Sequence, residues 1–139
     1  MSLSELLNSA QIISYQFFLE QQMRLLIHSR QGDYRIEMKP SQSLLLIVNI
    51  LRFLVLQISQ RNGYVISIKP VEIEPGLRLE IGINGGIFAG NRALERWREF
   101  STSHQIQGLL RNTQLEMEPM PSQWGVKLTF PHSVRSLPG

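Results

Sequence analysis

Cysteine is absent from the 139 residues. That excludes a disulfide scaffold, a thiolate metal site and thiol chemistry, and it points to the cytoplasm. Aspartate is nearly absent too: the eleven acidic residues are ten glutamates and Asp33 alone. Paired-aspartate catalysis and aspartate-rich cation loops are excluded with it. The three histidines, His28, His104 and His132, lie in no metal-ligand spacing, and none has an acid at i+3 or i+4. No GxSxG elbow and no Gly-Lys-Ser/Thr phosphate loop occurs, and Glu72 and Glu74 flank a turn rather than face each other across a cleft. The N-terminus, MSLSELLNSAQ, carries no basic region ahead of an apolar run, so it does not read as a signal peptide.

What is present is a soluble composition, 42% apolar and 18% charged, with enough chain for one core. The net charge is only +3, and the fourteen basic residues are scattered. No run of lysine and arginine marks a nucleic-acid surface. One stretch dominates. In Leu44–Ile58, LLLIVNILRFLVLQI, only Asn49, Arg52 and Gln57 interrupt the apolar residues. It is too long for one buried strand, and too short and too charged at Arg52 for a membrane span. It predicts a central helix buried on more than one side, running to about Gln60, with Ser41 or Ser43 as its cap and Asn62-Gly63 as its stop.

Around it the chain reads in order. Ser4–Ser29 predicts an amphipathic helix with Leu6, Ala10, Ile13, Phe17 and Leu25 on one side, ended by Gln31-Gly32-Asp33. Phe17 and Phe18 are adjacent, so one ring leaves the stripe and needs a second protomer or the central helix to cover it. Tyr34–Lys39 alternates as a strand and Pro40 stops it. Tyr64–Lys69 and Leu77–Ile83 alternate as a hairpin about Glu74-Pro75-Gly76. Asn84–Asn91, NGGIFAGN, is a glycine-rich loop; its Gly85, Gly86 and Gly90, with Gly82 just before it, let the backbone approach a phosphate or a neighbouring helix. Arg92–Asn112 predicts a helix with a stripe of Leu94, Trp97 and Phe100, broken at Ser101-Thr102-Ser103. Leu115–Glu118 and Trp124–Phe130 close as strands, and His132–Gly139 reads as a loose tail. Every strand alternates, so each has one wet face. The fold class is α+β: a two-layer α/β sandwich, a mixed or antiparallel sheet of about five strands with the helices on one face.

Three segments give a resemblance. Ile47–Ser59, IVNILRFLVLQIS, resembles the asparagine-box helix, of the type LLNLLENAIKYS, in the ATP-binding domain of histidine kinases and the wider GHKL superfamily. Leu79–Phe88, LEIGINGGIF, resembles that family's strand and glycine box, V-x-D-N-G-x-G-I. Gln123–Pro131, QWGVKLTFP, resembles its closing strand, GT-x-F-x-F-x-LP. The likeness spans Tyr34–Pro131 and implies a histidine-kinase-ATPase-like domain over 33–131. Residues 1–32 are then an N-terminal helix for packing or dimerisation, and 132–139 the tail.

The same resemblance implies losses. The magnesium-holding asparagine falls at Phe53, the acid beside it at Arg52 and the adenine-reading aspartate at Ile83. Asn49, Asn84, Gly85 and Gly86 remain. The second glycine box, the ATP lid and the phosphoacceptor histidine motif are missing. Phenylalanine offers no oxygen to a hard cation, and an arginine repels it. The expectation is a pseudoenzyme without cofactor or metal, a cytoplasmic protein-binding module in signalling, and a homodimer through the N-terminal helix. Its remnant pocket would comprise Asn49, Arg52, Phe53, Ile83, Asn84, Gly85 and Gly86. Two other readings stand beside it. One is a small-ligand or anion site made by Arg52 and the Asn84–Gly90 loop. The other is a nucleic-acid surface on the wet sheet face, with Arg35, Lys39, Lys69, Arg78 and Lys127. Glu37, Glu80, Glu116 and Glu118 share that face and argue against it.

Overall fold

The computed structural model describes residues 1–28, 32–37, 39–57, 64–73, 76–83, 91–120, 125–130 and 134–136. In chain order these form α1 (Leu3–Glu20), β1 (Arg24–Ile27), β2 (Tyr34–Ile36), α2 (Pro40–Leu56), β3 (Val65–Glu72) and β4 (Leu77–Ile83). They continue with α3 (Asn91–Thr102), α4 (His104–Thr113), β5 (Glu116–Pro119), β6 (Gly125–Phe130) and β7 (Val134–Ser136). Five strands make one mixed sheet in the order β1-β3-β4-β6-β5, with β1 parallel to β3 and the other pairs antiparallel. One face buries Ile66, Ile68, Leu79, Ile81, Val126 and Leu128 against the helices. The other face is polar, as alternation dictates. The two-layer α+β reading holds.

The central helix is where the apolar run places it. α2 packs between α1 and α4 with β4 beneath, and it buries Leu46, Ile47, Val48, Ile50, Leu51, Phe53, Leu54 and Val55. Each such side chain contributes about 1.5–3 kcal/mol on leaving water. The helix starts earlier than the serines suggest. Pro40 occupies its first turn, after Lys39 in the left-handed region at φ 45°. A proline costs nothing there, because the first N–H groups of a helix have no partner. Pro40 therefore opens α2 rather than ending a strand that runs to Lys39, and Ser41 and Ser43 are not the cap. The Asn62-Gly63 stop lies outside the described residues.

Two expectations are corrected at the chain ends. The first helix does not reach Ser29. Gln22 turns left-handed at φ 58°, and Arg24–Ile27 become the parallel edge strand β1, with Leu25 opposite Ile66. The unbroken apolar letters of Leu25–Ile27 hide this change of period. The buried stripe of α1 is Leu3, Leu6, Leu7, Ala10, Ser14 and Phe18, so Ile13 is exposed and Phe17 is the ring only partly buried, packed at the edge of the core. At the other end, Val134–Ser136 is a strand rather than part of a loose tail. It pairs antiparallel with β2, which therefore stands outside the main sheet.

Asp33, the lone aspartate, holds these pieces together. Its Oδ1 accepts from Ser4 N at 3.2 Å and Tyr34 N at 2.8 Å, while Ser2 Oγ accepts from Glu5 N at 3.1 Å. The first turn of α1 is thus capped twice, once from a distant residue. Asp33→Ala is expected to cost about 1–2 kcal/mol, the range of a lost cap. Urea denaturation measures it, and Asp33→Asn should recover much of the loss.

The remaining helices match their signals more closely. Ser103 breaks the third helical stretch, and its Oγ accepts from Ile106 N at 3.4 Å to cap α4. In α3 the inward residues are Ala93 and Trp97; Leu94 faces solvent. Strand β3 continues past Lys69 through Pro70 to Glu72. β1 covers only Val65–Ile68, so Pro70 lies on an open edge, where a missing N–H is tolerated. Gly76, at φ 108°, accepts at its carbonyl from Ile73 N at 3.2 Å to close the hairpin, in a conformation that favours glycine. Residues 74–75 of that turn lie outside the described residues.

Candidate functional site

Of the residues expected to form a remnant pocket, Asn49, Arg52, Phe53 and Ile83 are described, and the three on α2 point in different directions. Successive helix positions are about 100° apart, and α2 uses that angle to split them. Asn49 sits on its outer stripe with Leu45, Arg52 and Leu56. The Asn49 amide donates to Leu45 O at 2.8 Å, so it is satisfied within its own helix. Arg52 leans towards α1, where its guanidinium carbon lies 5.4 Å from the centre of the Phe17 ring. This covers the partly buried ring, by a contact that suits arginine.

Phe53, one residue on, turns the other way. Its ring stacks on Phe100 of α3 at 4.3 Å and 19°, and meets Trp97 edge-on at 6.1 Å. Trp97 and Phe100 are themselves 6.0 Å apart. Three rings from two helices thus close the space between α2 and α3. Gln57 braces the same junction: its Nε2 donates to Phe53 O at 3.0 Å, and its Oε1 accepts from Arg96 Nη1 at 3.3 Å. Ile83 ends β4 fully buried opposite Ile66. Asn84, Gly85 and Gly86, with the whole Asn84–Gly90 loop, lie outside the described residues. Among the described residues no cluster of histidine, aspartate and glutamate has the makings of a metal site.

Trp97 and Phe100 were legible as a helix stripe but not as the partners of Phe53. Their three-residue spacing was the available signal, since it places both rings on one side of α3.

The outer sheet face carries charge in rows of alternating sign. Lys69, Glu80, Lys127 and Glu118 are register partners across β3, β4, β6 and β5. Arg78 bridges Glu80 at 2.9 Å. Arg35 and Lys39 do not belong to this face, because β2 is elsewhere. Among the described residues this face forms no basic stripe able to follow a phosphate backbone. Above these rows, Gly82 faces Gly125, and Met120, buried, lies over Gly125.

The fold is that of the catalytic domain of histidine kinases. The nucleotide-free catalytic domain of the histidine kinase ThkA is similar with a TM-score of 0.67 at 13% identity, over 98% of this chain and 96% of that one. ThkA in complex with the response regulator TrrA gives 0.69 at 12% identity, over 98% of this chain and 41% of that one. The mycobacterial sensor histidine kinase MprB gives 0.58 at 10%, over 98% and 95%. At such identities the likeness is one of fold. No protein-family model matches the chain. No curated protein matches it either.

Proposed function

We propose that this chain is a non-catalytic histidine-kinase-like domain, a cytoplasmic protein-binding and regulatory module in signalling. One observation carries the reading. At the position where the resemblance puts a magnesium-holding asparagine, the chain has Phe53, and its ring is stacked on Phe100 as core. A hard cation needs oxygen ligands there, and an aromatic stack supplies none. Ile83, where the resemblance puts the adenine-reading carboxylate, is buried and apolar. A nucleotide amino group set against it would lose its hydrogen bond, at about 1–3 kcal/mol.

The signalling context comes from the fold, since one protein that shares it is seen with a response regulator. No helix among the described residues is long and apolar enough to cross a membrane. Isothermal titration with ATP and ADP, with and without Mg²⁺, tests the reading. No saturable heat is expected; micromolar Mg·ATP binding would sink it.

A homodimer through α1 is the second reading. Ile12 and Ile13, 66% and 51% exposed, are large apolar side chains that α1 leaves in solvent. Sedimentation equilibrium of the wild type and Ile12→Glu distinguishes it.

A further inference from the structure

The two edges of the main sheet are guarded unequally. β5 presents Glu116, Glu118 and Pro119, the charges and proline that keep an edge from pairing with another chain. β1 presents Arg24, Leu25, Leu26 and Ile27. It has β3 on one side and, among the described residues, no strand on the other. Leu26 is 48% exposed. Beside this edge, on the helix side of the sheet, lies an open cleft of about 340 Å³ whose lining includes Tyr15, Phe18, Leu19, Met23, Arg24 and Leu25. A free edge strand next to an apolar groove under a helix is the geometry in which an extended peptide adds as a further strand. Its backbone pairs with the edge, and its alternate side chains enter the groove.

We propose that the α1–β1 cleft is a strand-addition site for an extended segment of a partner protein. That segment is apolar at alternate positions and carries a carboxylate for Arg24. The charge argument selects the partner. Among the described residues Arg24 forms no ion pair. Antiparallel pairing of two β1 strands centred on Leu26 sets Arg24 against the other copy's His28, and a one-residue shift sets it against Ile27. Neither register supplies an acid, so a second copy is the poorer occupant. The proposal rests on the reading of this chain as a protein-binding module. Its test is separate from the nucleotide titration, so either can fail alone.

The probe is a short fluorescein-labelled peptide of alternating valine and threonine ending in glutamate. Its controls are the same peptide ending in lysine and one N-methylated at every second residue. Fluorescence anisotropy should show saturable, micromolar binding of the first, about ten-fold weaker binding of the lysine form, and none of the N-methylated form. Arg24→Glu, an exposed change that leaves the core intact, should reverse the charge preference. Amide shifts in ¹⁵N spectra should centre on Arg24–His28 and Leu19. Absent binding of the glutamate peptide, equal binding of the N-methylated peptide, or shifts centred elsewhere would overturn the site. So would self-association of the free chain that broadens those same amides, because it would give the cleft to a second copy.

Discussion

Phe53→Ala is expected to lose about 3–5 kcal/mol of folding stability, the range for emptying an aromatic from a closed core. The ring packs on Phe100 and Trp97 of α3, and Gln57 and Arg96 link α2 to that helix at the surface. Urea denaturation with tryptophan fluorescence reads the effect, since Trp97 borders the site. A companion variant separates packing from chemistry. Phe53→Asn returns the residue type that the resemblance associates with magnesium. It is expected to destabilise at least as much as alanine, because the amide enters an apolar site. It should still bind no Mg·ATP, since Ile83 and Arg52 are unchanged. Recovery of nucleotide binding by that single change would mean that the rings fill a site that is otherwise complete.

Gly125→Val is expected to be as severe, about 3 kcal/mol or more, for the opposite reason. A Cβ on Gly125 would stand 2.6 Å from Ile81 O and 2.9 Å from Gly82 Cα, and would overlap Met120 Cε. The methionine end can move; the backbone of a central strand pair cannot. Loss of soluble expression, or of the cooperative transition in circular dichroism, is the expected readout. Gly108 in α4 is the control. A Cβ there meets nothing within 4 Å. Gly108→Ala should stabilise by about 0.5–1 kcal/mol, the helix penalty of glycine.

These two sites show how far the sequence could be read. That Phe53 offers a cation no oxygen could be read from the residue type. Its packing could not, because Trp97 and Phe100 come from a helix more than forty positions away in sequence, and pairing across that distance leaves no local pattern. α2 was legible since no other element explains so long an apolar run. The break between α3 and α4 was legible because Ser103 is both a poor interior residue and a good cap. β1 was not. Leu25, Leu26 and Ile27 suit a helix face as well as a strand, and the turn before them uses glutamine rather than glycine in the left-handed region. The cleft depends on β1, so it was lost with it. Pro40 misled in a different way: the same residue ends a strand or begins a helix, and only the partner of β2 decides between them.

That partner has a kinetic consequence. Joining Tyr34 to Ser136 closes a loop of roughly 100 residues, and the entropy of doing so is recovered only after the core has formed. The ribbon is expected to zip last in folding and to part first in the native state. Hydrogen exchange should report this as two populations of amides. Those of β2 and β7 should exchange through a shallow local opening, while those of β4 and β6, two interior strands of the main sheet, should wait for the whole domain to unfold.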